Sequence, residues 1–405
     1  MLSHINKCFM KIVFSYINEE TKLKLIKYNK SLQNELKINI VNYRRYSGKY
    51  LIKIDNRRVK VYKSFNDIKE RSTNTKAEEI LNEINIFKHL YVKNIEKYKR
   101  GKDIIHLTVS LNNNNNFKYV LLVSMLSVLL NCNEKKTFVV YHILCSPDFD
   151  EKSFDIYKSL FTNFSHNLEM IFYNMGNHFM KRKNTHWSQS TFYRILTPLF
   201  INEDRIIHLD GDTLTFSDLS EMYNLDFDDN YILGFYEIIS NGLDYLGLNS
   251  TSYFNAGVAL FNLKKLREDN KTFDLYKLCN TDIELTEVDQ TALNYLLYPK
   301  IGRLPSKYGI FNFEDESDLK IYYNLLRTKV PMSELEDALN NPGIIHFILC
   351  KPKPWFPNSD YMKEFTGCEE RHNCSCAKYF NIWHSIANLT DYYDEISNFT
   401  GVKLE

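Results

Sequence analysis

From residue 104 to residue 173 the chain alternates apolar runs of strand length with stretches of helix length, and this restricts the fold more than any other feature. Residues 104–110 read as a strand, the asparagines 112–116 as a loop and 119–130 as a helix. Residues 138–144, 150–162 and 168–173 then repeat strand, helix, strand. Parallel neighbours can be joined only by a crossover, so this rhythm implies a mainly parallel, mixed α/β sheet flanked by helices. At 405 residues the chain exceeds what one core usually serves, so one large unit with additions is expected.

Residues 205–219, RIIHLDGDTLTFSDL, run from a strand into Asp210, Gly211 and Asp212. A strand that ends this way places both carboxylates at its C-terminal edge, where open α/β sheets bind ligands. Carboxylates this close repel unless a cation lies between them, and a divalent ion carrying a phosphorylated ligand is one solution. A solvated turn is the other. Arg194 lies inside 188–201, read as an apolar helix, and needs an anion or a carboxylate; a structural ion pair and a ligand clamp both remain open. After a strand at 231–236, Asn255, Ala256 and Gly257 form a small-residue turn into an apolar strand, and Gly257 admits close approach. Asp289 and Gln290 begin a helix, where Asp289 also reads as a plain N-cap. His346 lies on a strand, followed by Lys351, Lys353 and Trp355 among prolines. The histidine reads either as a core residue or as a metal ligand beside a lysine loop suited to phosphate.

With 51 basic and 50 acidic side chains the net charge is +1, so no global field draws the chain to nucleic acid, and an anionic ligand needs a local site. The longest apolar run, 119–130, contains two serines and is too short to span a bilayer, so no transmembrane segment is expected. The stretch 8–17 is short and interrupted by Lys11, unlike a secretory leader. A cytoplasmic protein with eight reduced cysteines is therefore expected.

Residues 1–98 are expected to form a mostly helical extension: helices near 9–17 and 23–26, a hairpin of 50–54 with 59–62, and an amphipathic helix over 78–91. The extension would pack on the main unit, on a second copy in a homo-oligomer, or on a protein partner. Residues 366–405 form a tail in which Cys368, His372, Cys374 and Cys376 crowd together without the spacing of a standard zinc site. Its last part, 379–402, is expected to be helical and peripheral.

In order and spacing, HLDGDTLTFSDLSEMY, YFNAGVALFNLKKLRE, DQTALNYL and HFILCKPKPW resemble glycosyltransferase family 8 over roughly residues 103–360. The family includes lipopolysaccharide glycosyltransferases and glycogen-priming proteins. The resemblance implies a GT-A fold, with a catalytic domain over 99–365 between the extension and the tail. It implies that Asp210 and Asp212, with Gly211 between them, and His346 hold Mn²⁺ or Mg²⁺ on a UDP-sugar diphosphate. Lys353 matches the diphosphate clamp, with Lys351 able to share that role, and Arg194 matches an arginine near the donor sugar. Asn255 and Asp289 match sugar-contacting positions, with Ala256 and Gly257 in the same turn, and Gln290 matches the residue beneath the anomeric carbon. Asn113 or Asn114 stands where the family usually reads uracil with an aspartate. Leu349 replaces a usual glycine, and Lys353 lies one residue later than the family's lysine.

The function so implied is retaining transfer of a hexose, glucose or galactose, from a UDP-sugar to a carbohydrate, glycoprotein or glycolipid acceptor by same-face attack. Two alternatives stand beside it. One is a weak or inactive UDP-sugar-binding pseudoenzyme that acts through residues 1–98, whose start weakly resembles an F-box helical motif. The other is a haloacid-dehalogenase-like phosphatase, which DGDTL superficially resembles, although Leu214 occupies the place of its usual Thr or Val.

Overall fold

The computed structural model describes residues 42–44, 51–54, 59–62, 74–112, 116–150, 153–179, 188–237, 253–281, 285–311, 329–348, 353–355 and 377–402, with single positions at 322, 324 and 326. The chain divides into two compact units, one of residues 1–76 with 239–253, the other of 77–238 with 254–405. In the first, strands β1 (Asn42–Arg44), β2 (Leu51–Ile54) and β3 (Val59–Tyr62) form an antiparallel sheet in that order. The expected hairpin is present, pairing Leu51 with Tyr62 and Ile54 with Val59, and β1 adds a third strand. The helices expected at 9–17 and 23–26, and the F-box-like stretch with them, lie outside the described residues.

The second unit is built on eight strands: β4 (Asn85–Tyr91), β5 (Asp103–Leu111), β6 (Thr137–Cys145), β7 (Leu168–Asn174), β8 (Arg205–Leu209), then, past a short β9 (Thr213–Thr215), β10 (Ile232–Tyr236), β11 (Phe254–Asn262) and β12 (Ile301–Arg303). Their order is β12-β10-β11-β8-β5-β6-β7-β4. The centre, β8-β5-β6-β7, is parallel as the alternating sequence requires, while β11 and β4 run antiparallel to their inner neighbours. The helix Phe117–Asn131 lies in the core with Val120 to Leu129 buried, which explains its nearly continuous apolar sequence. Among the described residues no helix is long and apolar enough to cross a membrane.

The two serines inside that helix have structural work. Ser124 Oγ bonds Thr213 Oγ1 at 3.0 Å, Ser127 Oγ accepts from Thr215 N at 3.0 Å, and Asn131 donates to Thr215 O at 2.9 Å. They fasten β9, which joins β13 (Ile310–Phe311) and β14 (Ile344–His346) in a small sheet of order β13-β14-β9. Its register sets His346 opposite Thr213, and Phe347 N donates to Asp212 O at 2.9 Å.

Two local expectations are corrected. The helix expected over 78–91 ends at Glu83, and 85–91 is instead the edge strand β4, paired with β7 from Asn85–Asn174 to Tyr91–Glu169. Ladder bonds and the packing of Phe87 on Phe149 and Phe154 outweigh a helical pattern that this segment also satisfies. The large sheet thus starts inside what the sequence suggested was the extension. The tail is helical as expected, at Ala377–Ala387 and Tyr393–Thr400, but it is not peripheral. Trp383 is 1% exposed and belongs to the main core with Phe380 and Ile396.

Candidate active site

One edge of the large sheet gathers the site because β8 and β11 are antiparallel. The C-terminal end of β8 delivers Asp210 beside the start of β11, which carries Asn255, Ala256 and Gly257, and Asp210 N donates to Gly257 O at 2.7 Å. β10 ends at the same edge with Glu237. Between Gly234 and Phe235 the β10 register jumps from Ala259 to Asn255, which removes residues 256–258 from that ladder. Buried backbone groups freed by such an irregularity need other partners. Gln290 Oε1 accepts from Ala256 N at 2.9 Å, Asn255 Oδ1 accepts from Gly257 N at 2.8 Å, and Arg194 Nη1 donates to Ala256 O at 2.6 Å.

Arg194 belongs to a 3-10 helix, Gln189–Leu196, rather than to the expected continuous helix through 201. Pro198 explains the difference: its ring lacks the N–H and collides with the carbonyl four residues back, that of Arg194. That carbonyl is taken instead by Thr197, through its backbone N–H and its hydroxyl at 2.7 Å. The Arg194 side chain is buried between two carboxylates, Nη2 3.1 Å from Asp210 Oδ1 and Nε 2.9 Å from Asp289 Oδ2. Burial opposes ionisation of Asp210, yet Arg194 and the His208 ring, 3.1 Å away, hold its carboxyl well below the usual range. Burial dominates at Asp289 and pushes it up to about 7, with Arg194 offsetting part of the effect. Asp289 lies in the first turn of the helix Val288–Leu297, whose N-cap is Glu287, so it is not the plain cap that the sequence allowed. Just before it, Val288 has φ 41°, a left-handed conformation that β-branched residues rarely adopt.

Across the small sheet, His346 Nε2 faces Asp212 Oδ1 at 3.0 Å and Asp210 Oδ2 at 3.8 Å. Asp210, Asp212 and His346 each offer one ligand atom, all within 4.8 Å of one another. Two carboxylates and one imidazole suit Mn²⁺ or Mg²⁺ by hardness. The space is kept open by Gly257, where a Cβ would collide with the His346 ring and the Asp210 carboxylate. Gly211, by contrast, makes room for the Phe117 ring, which a Cβ would meet at 2.8 Å. The residues therefore fit a divalent ion. About a third of the Asp210 side chain, 35%, stays exposed, so the site opens to solvent at that point while His346 at 3% closes its floor.

Lys353 Nζ lies 2.7 Å from Asp212 Oδ2, so the longer closing loop still brings this lysine to the acidic pair. Burial opposes ionisation of Asp212 too, but Lys353 and His346 bring it down to about 2. The C-terminal helix Ala377–Ala387 braces the loop, since His384 Nε2 lies 2.9 Å from Pro354 O and the Trp383 ring 5.7 Å from that of Trp355. Asn113, Asn114 and Lys351 lie outside the described residues, as do Cys368, His372, Cys374 and Cys376.

Residues 108–359, more than half of the chain, match the family model for glycosyl transferase family 8. The chain belongs to glycosyltransferase family 8. Among curated relatives, the glycosyltransferase GlyE of Streptococcus pneumoniae is 28% identical over 43% of this chain and 39% of its own length. The lipopolysaccharide 1,2-glucosyltransferase of Escherichia coli is 26% identical over 51% of this chain and 63% of its own. This family 8 chain thus spans less than two thirds of either relative. Among solved structures, the bifunctional glycosyltransferase WbbM superposes with TM-score 0.56 at 16% identity, over 74% of this chain and 52% of that one. The galactosyltransferase LgtC with donor and acceptor sugar analogues gives 0.50 at 20% identity, over 71% and 96%. At these identities the likeness is one of fold, and it agrees with the GT-A sheet expected for family 8.

Two site residues of this family 8 chain escaped sequence reading. His208 is fully buried, and burial lowers it to about 4, so its neutral ring orients Asp210. Its position two residues before Asp210 on a strand, hence on the same face, was an available signal. Glu237 is buried and bonds both Asn255 and Gln290. Only its place after a strand could have marked it.

Proposed function

We propose that this chain is a retaining hexosyltransferase that moves glucose or galactose from a UDP-sugar to a hydroxyl of a carbohydrate, glycoprotein or glycolipid acceptor. The observation that carries this reading is the convergence of Asp210, Asp212 and His346 on one space with Lys353 at its rim. A Mn²⁺ or Mg²⁺ ion held there would neutralise the diphosphate and polarise the sugar–phosphate bond. Lys353, paired with Asp212, is placed for a diphosphate to draw it away, and its ammonium then faces the charge that builds on departing UDP. Arg194 fixes Asp210 and Asp289 side by side and so sets the ligand and sugar-contacting groups in one frame. Gln290 is neutral, and its carbonyl oxygen is taken by Ala256 N and Asn255 Nδ2, which makes it a poor nucleophile. That favours same-face attack by the acceptor hydroxyl over a covalent double displacement. The named activities of two similar proteins, glucosyl and galactosyl transfer, support a hexose.

The test is UDP release from UDP-glucose and UDP-galactose with Mn²⁺ or with EDTA. Release is expected only with metal, and Asp212→Asn should lower it by about 100-fold or more. An unchanged rate in that variant would overturn the reading. Inorganic phosphate as product would indicate a phosphatase, and donor binding without turnover a pseudoenzyme.

A further inference from the structure

At the sheet edge, three buried side chains close into a ring. Glu237 Oε2 accepts from Gln290 Nε2 at 2.8 Å and from Asn255 Nδ2 at 2.8 Å, and Asn255 Nδ2 also reaches Gln290 Oε1 at 3.2 Å. The ring is tied to backbone through Ala256 N, which donates to Gln290 Oε1, and Gly257 N, which donates to Asn255 Oδ1. An amide has a donor end and an acceptor end, whereas a carboxylate only accepts and a backbone N–H only donates. Glu237 at one end of Gln290 and Ala256 N at the other therefore permit one orientation of the amide. Turned over, it would set oxygen against carboxylate and NH₂ against N–H. The same logic fixes Asn255 between Glu237 and Gly257 N.

We infer that Glu237 is a positioning residue for the proposed transfer, holding the Gln290 and Asn255 amides in the single orientation they present to the donor sugar. The inference rests on the transferase reading above. Glu237 is 8% exposed and follows the last residue of β10, so its backbone is set by the sheet. The helix that carries Gln290 is anchored separately: Asn294, one turn later, accepts from Phe254 N and donates to Phe254 O, each at 2.9 Å. Loss of the Glu237 carboxylate would thus release the two amides without releasing the helix. The expected consequence is a slower chemical step rather than weaker donor binding, because small displacements near a reacting carbon cost rate steeply.

The experiment measures metal-dependent UDP release by the wild-type chain and each variant, with thermal unfolding of each. Absence of release by the wild type defeats the transferase reading itself. With an active wild type, Glu237→Leu should lower kcat by about 100-fold while KM for the UDP-sugar stays within about threefold. Glu237→Gln keeps an acceptor oxygen toward both amides and should recover kcat to within about tenfold of wild type. Gln290→Glu places two carboxylates in contact and should be nearly inactive. Glu237→Gln also serves if Glu237→Leu fails to fold. Full activity in Glu237→Leu overturns the inference. So does Glu237→Gln as inactive as the leucine variant, which would make the carboxylate itself a reacting group.

Discussion

Arg194 and Asp289 form an ion pair, Nε to Oδ2 at 2.9 Å, in which the two side chains are 5% and 2% exposed. The same guanidinium also serves Asp210 and the Ala256 carbonyl. Removing the guanidinium leaves Asp289 buried without its cation, Asp210 without a counter-charge and the Ala256 carbonyl without its donor. Arg194→Met is therefore expected to lower folding stability by about 3–5 kcal/mol, read from urea unfolding at neutral pH. A loss below about 1 kcal/mol would show that the two aspartates find other partners.

Gly257 has a different kind of necessity. Gly257→Ala would push a methyl group into the space shared by the His346 ring and the Asp210 carboxylate. Mn²⁺ affinity, measured by titration calorimetry or by the electron spin signal of the free ion, should fall by at least about tenfold. Equal affinity in the variant and the wild type would exclude this space as the metal site.

Acid should weaken the metal-free protein through Asp212. Its folded-state value of about 2 lies below the ordinary 3.8, so the unfolded chain takes up the proton first. The stability this group contributes is then fully present above about pH 4 and is lost as pH falls toward about 2, an effect of about 2 kcal/mol. Urea midpoints at several pH values between 5 and 2.5, with EDTA present, should drop more steeply for the wild type than for Asp212→Asn. Parallel profiles would contradict the assignment.

The closing loop depends on the C-terminal helix. Trp383→Ala removes a fully buried ring that packs on Trp355 and should cost about 3–5 kcal/mol. His384→Leu keeps the bulk and removes the bond to the Pro354 carbonyl. In that variant KM for the UDP-sugar should rise by about three- to tenfold, as Lys353 loses its bracing. A KM unchanged in His384→Leu would mean that the loop holds Lys353 without this bond.

Much of the framework was readable in local sequence. The parallel strands β5 to β8 announce themselves through apolar runs separated by helix-length segments, because a doubly covered strand must be apolar on both faces. The N-terminal end of the large sheet was not readable. Residues 85–91 satisfy a helical period and a strand equally, and their pairing with β7, some eighty residues later, decides between them. The same holds for the C-terminal helices, whose amphipathic pattern shows a buried face but not what buries it.

The sequence by itself determined the inventory of the site: an acidic pair after a strand, a small-residue turn, a helix opening on Asp289 and Gln290, and a histidine followed by a lysine loop. Each is a local pattern carried by a few adjacent residues. Tertiary structure alone decided that they meet, since Asp212 and His346 are brought together by pairing of β9 with β14 across more than a hundred residues. It also decided the partners of Arg194 and the presence of Glu237 and His208, because a buried polar group is defined by what surrounds it in space. No short stretch of sequence contains those surroundings.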